Sequence, residues 1–181
     1  MIEVNLSQQQ LEWCEEHTKK IVKKYGGDKT RGSGSYNHNR IDSNLIGVKS
    51  EVATVVWLRE NFKNTEVSPC FVDFENSRGK PDIAINNAFL EVKGLRNNHW
   101  EKFKRCIPPH QLKQYVKKNA IVVWTTTEAD STTEKVFLKG WNYASDVDKH
   151  GEYRRTICDN IWLKEDSLMR SMESLLEELK K

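Results

Sequence analysis

The apolar positions of the chain fall into two rhythms. Near the N-terminus Leu11, Cys14, Thr18, Ile21 and Tyr25 recur at helical spacing behind Ser7-Gln8-Gln9-Gln10, a Ser-x-x-Gln capping box, and Gly26-Gly27 is expected to end that helix. The stripe Val48, Val52, Val55, Leu58 and Phe62 predicts a second helix over 45–62. The stretch 28–44 between them has no period and contains Arg31-Gly32-Ser33-Gly34-Ser35-Tyr36-Asn37-His38-Asn39-Arg40, so a flexible loop is expected there. After residue 62 the rhythm changes to that of strands.

Strands are predicted over 70–74, 82–85 and 88–93, the last two joined by a tight turn at Asn86-Asn87. Pro108-Pro109 opens a helix over 110–118, because proline is tolerated at the first helical position. The unbroken apolar run 120–125 predicts a strand buried on both faces, and 135–138 a further strand. Leu168, Met172, Leu175, Leu176 and Leu179 predict a C-terminal amphipathic helix over 166–180. The order is α-α-β-β-β-α-β-β-α, an α/β chain with a central mixed sheet of four to five strands flanked by helices. The segment 140–162 has no clear period.

A length of 181 residues suits one domain. It is expected to divide into an N-terminal helix with a basic loop (1–44), a core (45–138) and a C-terminal aromatic segment with its helix (139–181). No apolar run is long enough to span a membrane, and Met1-Ile2-Glu3-Val4-Asn5 does not open a secretory leader, so a cytoplasmic, intracellular protein is expected. The four cysteines, at 14, 70, 106 and 158, include no Cys-x-x-Cys pair and are read as reduced.

The formal net charge is only +3, but its distribution is uneven. Seven cations face one anion between Lys19 and Arg40, and eight face one between Lys93 and Lys118. Two such blocks are what a phosphate-tracking groove needs, although solvated helix faces would read the same. Arg31, Tyr36, Arg40, Arg96 and Lys113 are the candidate nucleic-acid contacts. His38, His99 and His110 fall in or beside these blocks, and Trp100 is a candidate stacking platform. His17 and His150 have no partner at ligand spacing, and His17 is expected to be exposed.

Chemistry concentrates in the predicted hairpin, where Pro81-Asp82 opens one strand and Glu91-Val92-Lys93 ends the next. Strand alternation puts Glu91 and Lys93 on one face and Val92 on the other. A turn at Asn86-Asn87 sets the pairing so that Asp82 lies opposite Glu91. Two carboxylates held together repel unless a cation separates them, and oxygen ligands select a hard ion such as Mg²⁺ or Mn²⁺. A lysine two residues on could orient or deprotonate a water there. The bland alternative is a cross-strand Asp–Lys or Glu–Lys pair on a solvated face. Glu51 offers a third carboxylate from a helix that must pack on the sheet, and Gln111 and Tyr115, spaced i, i+4, share a helix face.

Taken in order, Pro81-Asp82, an eight-residue spacer, Glu91-Val92-Lys93 and then Gln111-Leu112-Lys113-Gln114-Tyr115 resemble the PD-(D/E)XK nuclease superfamily, in its RecB-like branch with a Q-x-x-x-Y helix. Gly47-Val48-Lys49-Ser50-Glu51 is similar to the upstream glycine-and-acid helix of that family. The resemblance spans about 45–138 and implies a restriction-endonuclease-like core of αβββαβ order. It implies that Asp82, Glu91 and the Val92 carbonyl hold Mg²⁺ or Mn²⁺, with Glu51 binding directly or through water. Lys93 would position the attacking water, and Gln111 and Tyr115 would steady it or a nearby phosphate.

The implied activity is metal-dependent hydrolysis of DNA phosphodiester bonds, by an endonuclease. Within the class a Holliday-junction resolvase-like, structure-selective enzyme, a restriction or homing-type endonuclease and a replication or repair exonuclease are the alternatives, and an RNA-directed nuclease is another. A non-catalytic nucleic-acid-binding module is the alternative outside it. A homodimer or homotetramer is compatible with the resemblance, and a small stand-alone chain of this kind would suit a virus or mobile element.

Overall fold

A computed structural model describes residues 1–25, 41–76, 79–155 and 159–181. Strand β1 (Ile2–Asn5) precedes helix α1 (Gln8–Tyr25), whose start is fixed by a reciprocal cap. The Ser7 hydroxyl accepts the Gln10 N–H at 3.3 Å, and the Gln10 side-chain oxygen accepts the Ser7 N–H at 2.8 Å. Helix α2 (Ile41–Asn61) begins four residues before the sequence period predicts. It is buried around much of its girth, because α1 covers one side and the sheet the other.

The sheet is built from β1, β2 (Val67–Pro69), β3 (Ile83–Ile85), β4 (Ala88–Arg96), β6 (Ile121–Thr127) and β7 (Lys135–Tyr143). Its order is β1-β7-β6-β4-β3-β2, and every neighbouring pair is antiparallel except β4 and β6. A parallel pair needs a crossover, which helix α4 (Pro109–Lys117) provides. Helix α2, with the C-terminal helix α6 (Met172–Glu178), closes the core on one face, where Leu58, Ile83, Leu90, Val92, Val123 and Met172 meet. On the other face Ile107, Leu112, Val122, Trp124, Val147 and Leu163 form a second core under α4 and helix α5 (Ala144–His150). Strand β6 is accordingly buried on both sides, as its unbroken apolar run predicts.

Several expectations are corrected. The sheet has six strands rather than four or five, and a second sheet of three, β5 (Cys106–Ile107), β9 (Asp159–Trp162) and β8 (Glu152–Arg155), adjoins α4. Residues 70–74 are not a strand: Cys70–Asp73 form a 3-10 turn with Val72 46% exposed, and the strand is the preceding Val67–Pro69. The described residues of 140–162 form the end of β7, α5 and the paired strands β8 and β9. A 3-10 turn at Asp166–Leu168 delays the last helix to Met172, and Met172, Leu175 and Leu179 pack into the chain's own core. The loop at 28–40, Gly26-Gly27 and Cys158 lie outside the described residues. Among the described residues no helix is long and apolar enough to cross a membrane.

Candidate active site

The hairpin register is the one the turn predicts. Ile83 pairs with Leu90, Ala84 with Phe89 and Ile85 with Ala88, and Asn86 adopts φ 51° in the turn, a conformation asparagine tolerates. Continuing that register by one residue brings Asp82 opposite Glu91. Strand β3 stops at Ile83 while β4 runs on to Arg96, and the Asp82 carboxylate takes over the ladder by accepting the Val92 N–H at 2.7 Å. Within a strand a residue's N–H and C=O point to the same side. The Val92 carbonyl therefore faces the edge that β3 has vacated.

Leu90 and Val92 sit in the α2-side core, so Glu91 and Lys93 project to the α4 side. There the Lys93 ammonium donates to the Tyr115 hydroxyl at 2.7 Å and to Gln111 Oε1 at 3.2 Å, and lies 5.0 Å from the centre of the Tyr115 ring. The Tyr115 hydroxyl is also 3.2 Å from Gln111 Oε1 and hydrogen-bonds Glu91. The i, i+4 spacing of Gln111 and Tyr115 thus becomes one polar face of α4 laid against β4.

Glu51 belongs to α2, on the other face of the sheet, and reaches the cluster where β3 has ended. Burial raises its carboxyl well above the usual carboxylate range, the Asp82 charge adds to this, Lys93 opposes it, and Glu91 raises it further. Burial likewise raises Asp82, against the pull of Lys93, the Val92 N–H and Lys118. Burial and the Asp82 charge push Glu91 up to about 8, against Lys93, Lys118 and the Tyr115 hydrogen bond. Burial works against the Lys93 ammonium, but the Tyr115 oxygen, Asp82 and Glu91 outweigh it and hold it above its ordinary value. The Lys93 ammonium thus donates to Tyr115 and Gln111 and is held in its charged form by the Tyr115 oxygen and the neighbouring carboxylates.

Among the described residues no ion pair within 4.0 Å involves Glu51, Asp82, Glu91 or Lys93. The solvated cross-strand salt bridge is thus not what the chain builds. Three carboxylates, Glu91 buried and Glu51 and Asp82 half-buried, surround a lysine held by neutral oxygens. Among the described residues no group of three or more His, Cys, Asp or Glu side chains is placed to hold a metal ion. Carboxylate oxygens and one strand-edge carbonyl are the donor types that would suit a hard divalent ion such as Mg²⁺ or Mn²⁺.

Other predicted contacts are dispersed. Arg96 pairs with Asp42 at 2.6 Å, tying the end of β4 to the start of α2. Lys113 is exposed, two residues from Gln111 and so on the far side of α4 from the site. His99 and His110 are exposed, whereas Trp100 is buried beneath Lys139, 5.2 Å from its ring, and so cannot be an open stacking platform. His17 is buried, not exposed: its ring stacks on Trp13 at 4.5 Å and meets Phe74 edge-on. Lys104 and Arg105 of the second basic block are taken up by Asp166, and Arg105 also donates to the Leu163 and Lys164 carbonyls. Arg31, Tyr36, His38 and Arg40 lie outside the described residues.

Three contributors escape the sequence pattern. Lys118 continues the row Gln111, Tyr115 by one more turn, and its charge lowers both Asp82 and Glu91; the i, i+7 spacing could have signalled it. Lys49, fully buried on α2, donates to the carbonyls of Glu128, Asp130 and Thr133 at 3.0, 3.0 and 2.7 Å, fastening the β6–β7 connection to the helix that carries Glu51. Gly94 lets α2 approach β4: a Cβ there would lie 2.4 Å from Ser50 Oγ and 2.9 Å from Ile46 Cγ2. No family model, curated protein or solved structure matches the chain.

Proposed function

We propose that the chain is a metal-dependent DNA endonuclease of PD-(D/E)XK type, with a restriction-endonuclease-like core formed by α2, β3, β4, α4 and β6. One observation carries the reading. Buried Glu91 and half-buried Glu51 and Asp82 lie near enough for their charges to act on one another, around a lysine that is bound by Gln111 and Tyr115 rather than by any of the three. Such an arrangement opposes its own folding unless a cation completes it. A non-catalytic binding module would have no reason to concentrate negative charge where it must meet phosphate.

Asp82, Glu91, the Val92 carbonyl and Glu51 are the residues that would hold Mg²⁺ or Mn²⁺. Bound there, the ion would acidify a water and offset the charge that grows on the phosphate oxygens. Lys93, kept protonated, directs its N–H bonds toward the attacking water and the phosphate, while Tyr115 and Gln111 fix where its ammonium stands. Hydrolysis forms one P–O bond to the water oxygen and breaks one P–O ester bond. The water yields a proton and the leaving alkoxide takes one up.

Supercoiled plasmid incubated with the protein and Mg²⁺ or Mn²⁺ should be nicked or cut, and Asp82→Ala and Lys93→Ala should abolish this while DNA binding persists. Equal cutting by those variants rejects the assignment. The same assay on linear, branched and single-stranded DNA and on RNA distinguishes a general endonuclease from a junction-selective or RNA-directed enzyme.

A further inference from the structure

The hydroxyl of Thr125 lies at the crossing of the three elements that build the site. Thr125 stands beside Gly94 in the parallel β4–β6 register, and β6 shifts its pairing with β7 between Trp124 and Thr125. The extra residue at that shift is Lys139 of β7, and Thr125 keeps its unbroken register with β4. Here the Thr125 hydroxyl donates to Ser50 Oγ at 2.7 Å and lies 3.4 Å from the Lys93 carbonyl. Both Thr125 and Ser50 are fully buried.

The contact exists only because Gly94 has no side chain, since a Cβ would fall 2.4 Å from Ser50 Oγ and 3.1 Å from the Ile46 carbonyl. Ser50 immediately precedes Glu51, and the Lys93 carbonyl belongs to the residue that presents the ammonium. One hydroxyl pair therefore registers the helix bearing the third carboxylate against the strand bearing Glu91 and Lys93. Neither hydroxyl can touch a substrate, because both lie in the α2-side core. We infer that Thr125 and Ser50 are positioning residues that set how far Glu51 reaches past the end of β3 into the carboxylate cluster. The inference rests on the nuclease reading above and adds two residues to it.

A misplacement near 1 Å can cost about 100-fold in rate, so a lost hydrogen bond at this joint should read out in catalysis rather than in DNA binding. The test uses the full chain, with Mn²⁺ binding followed by electron paramagnetic resonance and cleavage followed on supercoiled plasmid. Thr125→Val keeps the volume and removes the hydroxyl; Ser50→Ala removes the other end without touching the sheet; Thr125→Ser restores the donor. The expected result for Thr125→Val and Ser50→Ala is folded protein that binds Mn²⁺ on the order of tenfold more weakly, with kcat lowered roughly 10- to 100-fold and KM for DNA unchanged. Thr125→Ser should recover both properties.

Wild-type Mn²⁺ affinity and kcat in Thr125→Val and Ser50→Ala overturn the positioning role and leave the nuclease reading standing. A loss of melting temperature with unchanged kcat per folded molecule also overturns it, since that is all a structural hydroxyl would do. Wild-type protein that neither binds Mn²⁺ nor cuts DNA overturns the nuclease reading itself, and the inference with it.

Discussion

Asp82 accepts the Val92 N–H at 2.7 Å, so a side chain does the work of a strand one residue before β3 begins. The bond engages one carboxylate oxygen of Asp82. It also gives Asp82 two separable roles. Asp82→Asn keeps an acceptor for the Val92 N–H and should melt within a degree or two of wild type, yet lose plasmid cleavage by about three orders of magnitude. Asp82→Ala should lose cleavage equally and, with the N–H orphaned, destabilise the protein by about 1–3 kcal/mol. Thermal melting beside a cleavage assay checks both, and a stable, active Asp82→Ala protein would refute the dual role.

At the proposed metal site, protons would compete with the cation for the same oxygens. Glu91 stands at about 8 in the metal-free protein, against 4.5 for an ordinary glutamate, chiefly through burial. With the folded value raised, the folded state binds more protons than the unfolded one between those two pH values. This contribution to stability is complete below about pH 4.5 and is lost as pH rises through 8. Metal-free protein should therefore melt lower as pH climbs through this window, with each kcal/mol lost worth about 2–4 °C. Glu91→Gln should flatten the decline. Mn²⁺ affinity should run the other way and tighten with pH, and Lys118→Met, by removing a charge that favours the ionised carboxylates, should move its midpoint upward. Calorimetry at several pH values would show each trend.

Tyr115 holds the Lys93 ammonium with its hydroxyl rather than with its ring alone. Tyr115→Phe keeps the packing and the ring contact but frees Lys93 to turn toward Asp82 and Glu91. We expect kcat to fall about tenfold, equivalent to 1.36 kcal/mol of transition-state stabilisation, with little change in melting temperature. Steady-state kinetics on plasmid would reveal it, and an unaltered kcat would remove the hydroxyl from the mechanism.

Lys49 presents all three ammonium hydrogens to carbonyls of the 128–133 connection. Lys49→Met keeps the apolar stem and strips those carbonyls of their donor, so unfolding in urea should show a loss of about 1–3 kcal/mol. Limited proteolysis should open first between residues 128 and 134. Cutting elsewhere, with unchanged stability, would contradict the strut.

Much of the site was legible because the rules that place it are local. Alternation puts Glu91 and Lys93 on one face of β4, a two-residue turn sets Asp82 against Glu91, and helical spacing aligns Gln111 with Tyr115. The capping box of α1 and the doubly buried β6 were equally readable. The failures share the opposite character. β1 is a strand only because β7, more than 130 residues later, offers it an edge. Cys70 to Asp73 has the composition of a strand but makes one backbone hydrogen bond beside β3, from the Phe71 N–H to the Asp82 carbonyl at 3.3 Å, and closes into a 3-10 turn rather than a ladder.

The sequence by itself determined which residues carry charge and oxygen ligands, and which of them share a face within one element. Only the tertiary structure decided that Glu51 passes the short end of β3, that Lys93 is held by neutral oxygens, and that Trp100 and His17 are packed away from solvent. The physical reason is range. Backbone geometry repeats every two or 3.6 residues and is written in the chain. The approach of α2 to β4 depends on a missing Cβ at Gly94 and on the Thr125–Ser50 hydrogen bond, which spans 75 residues of sequence.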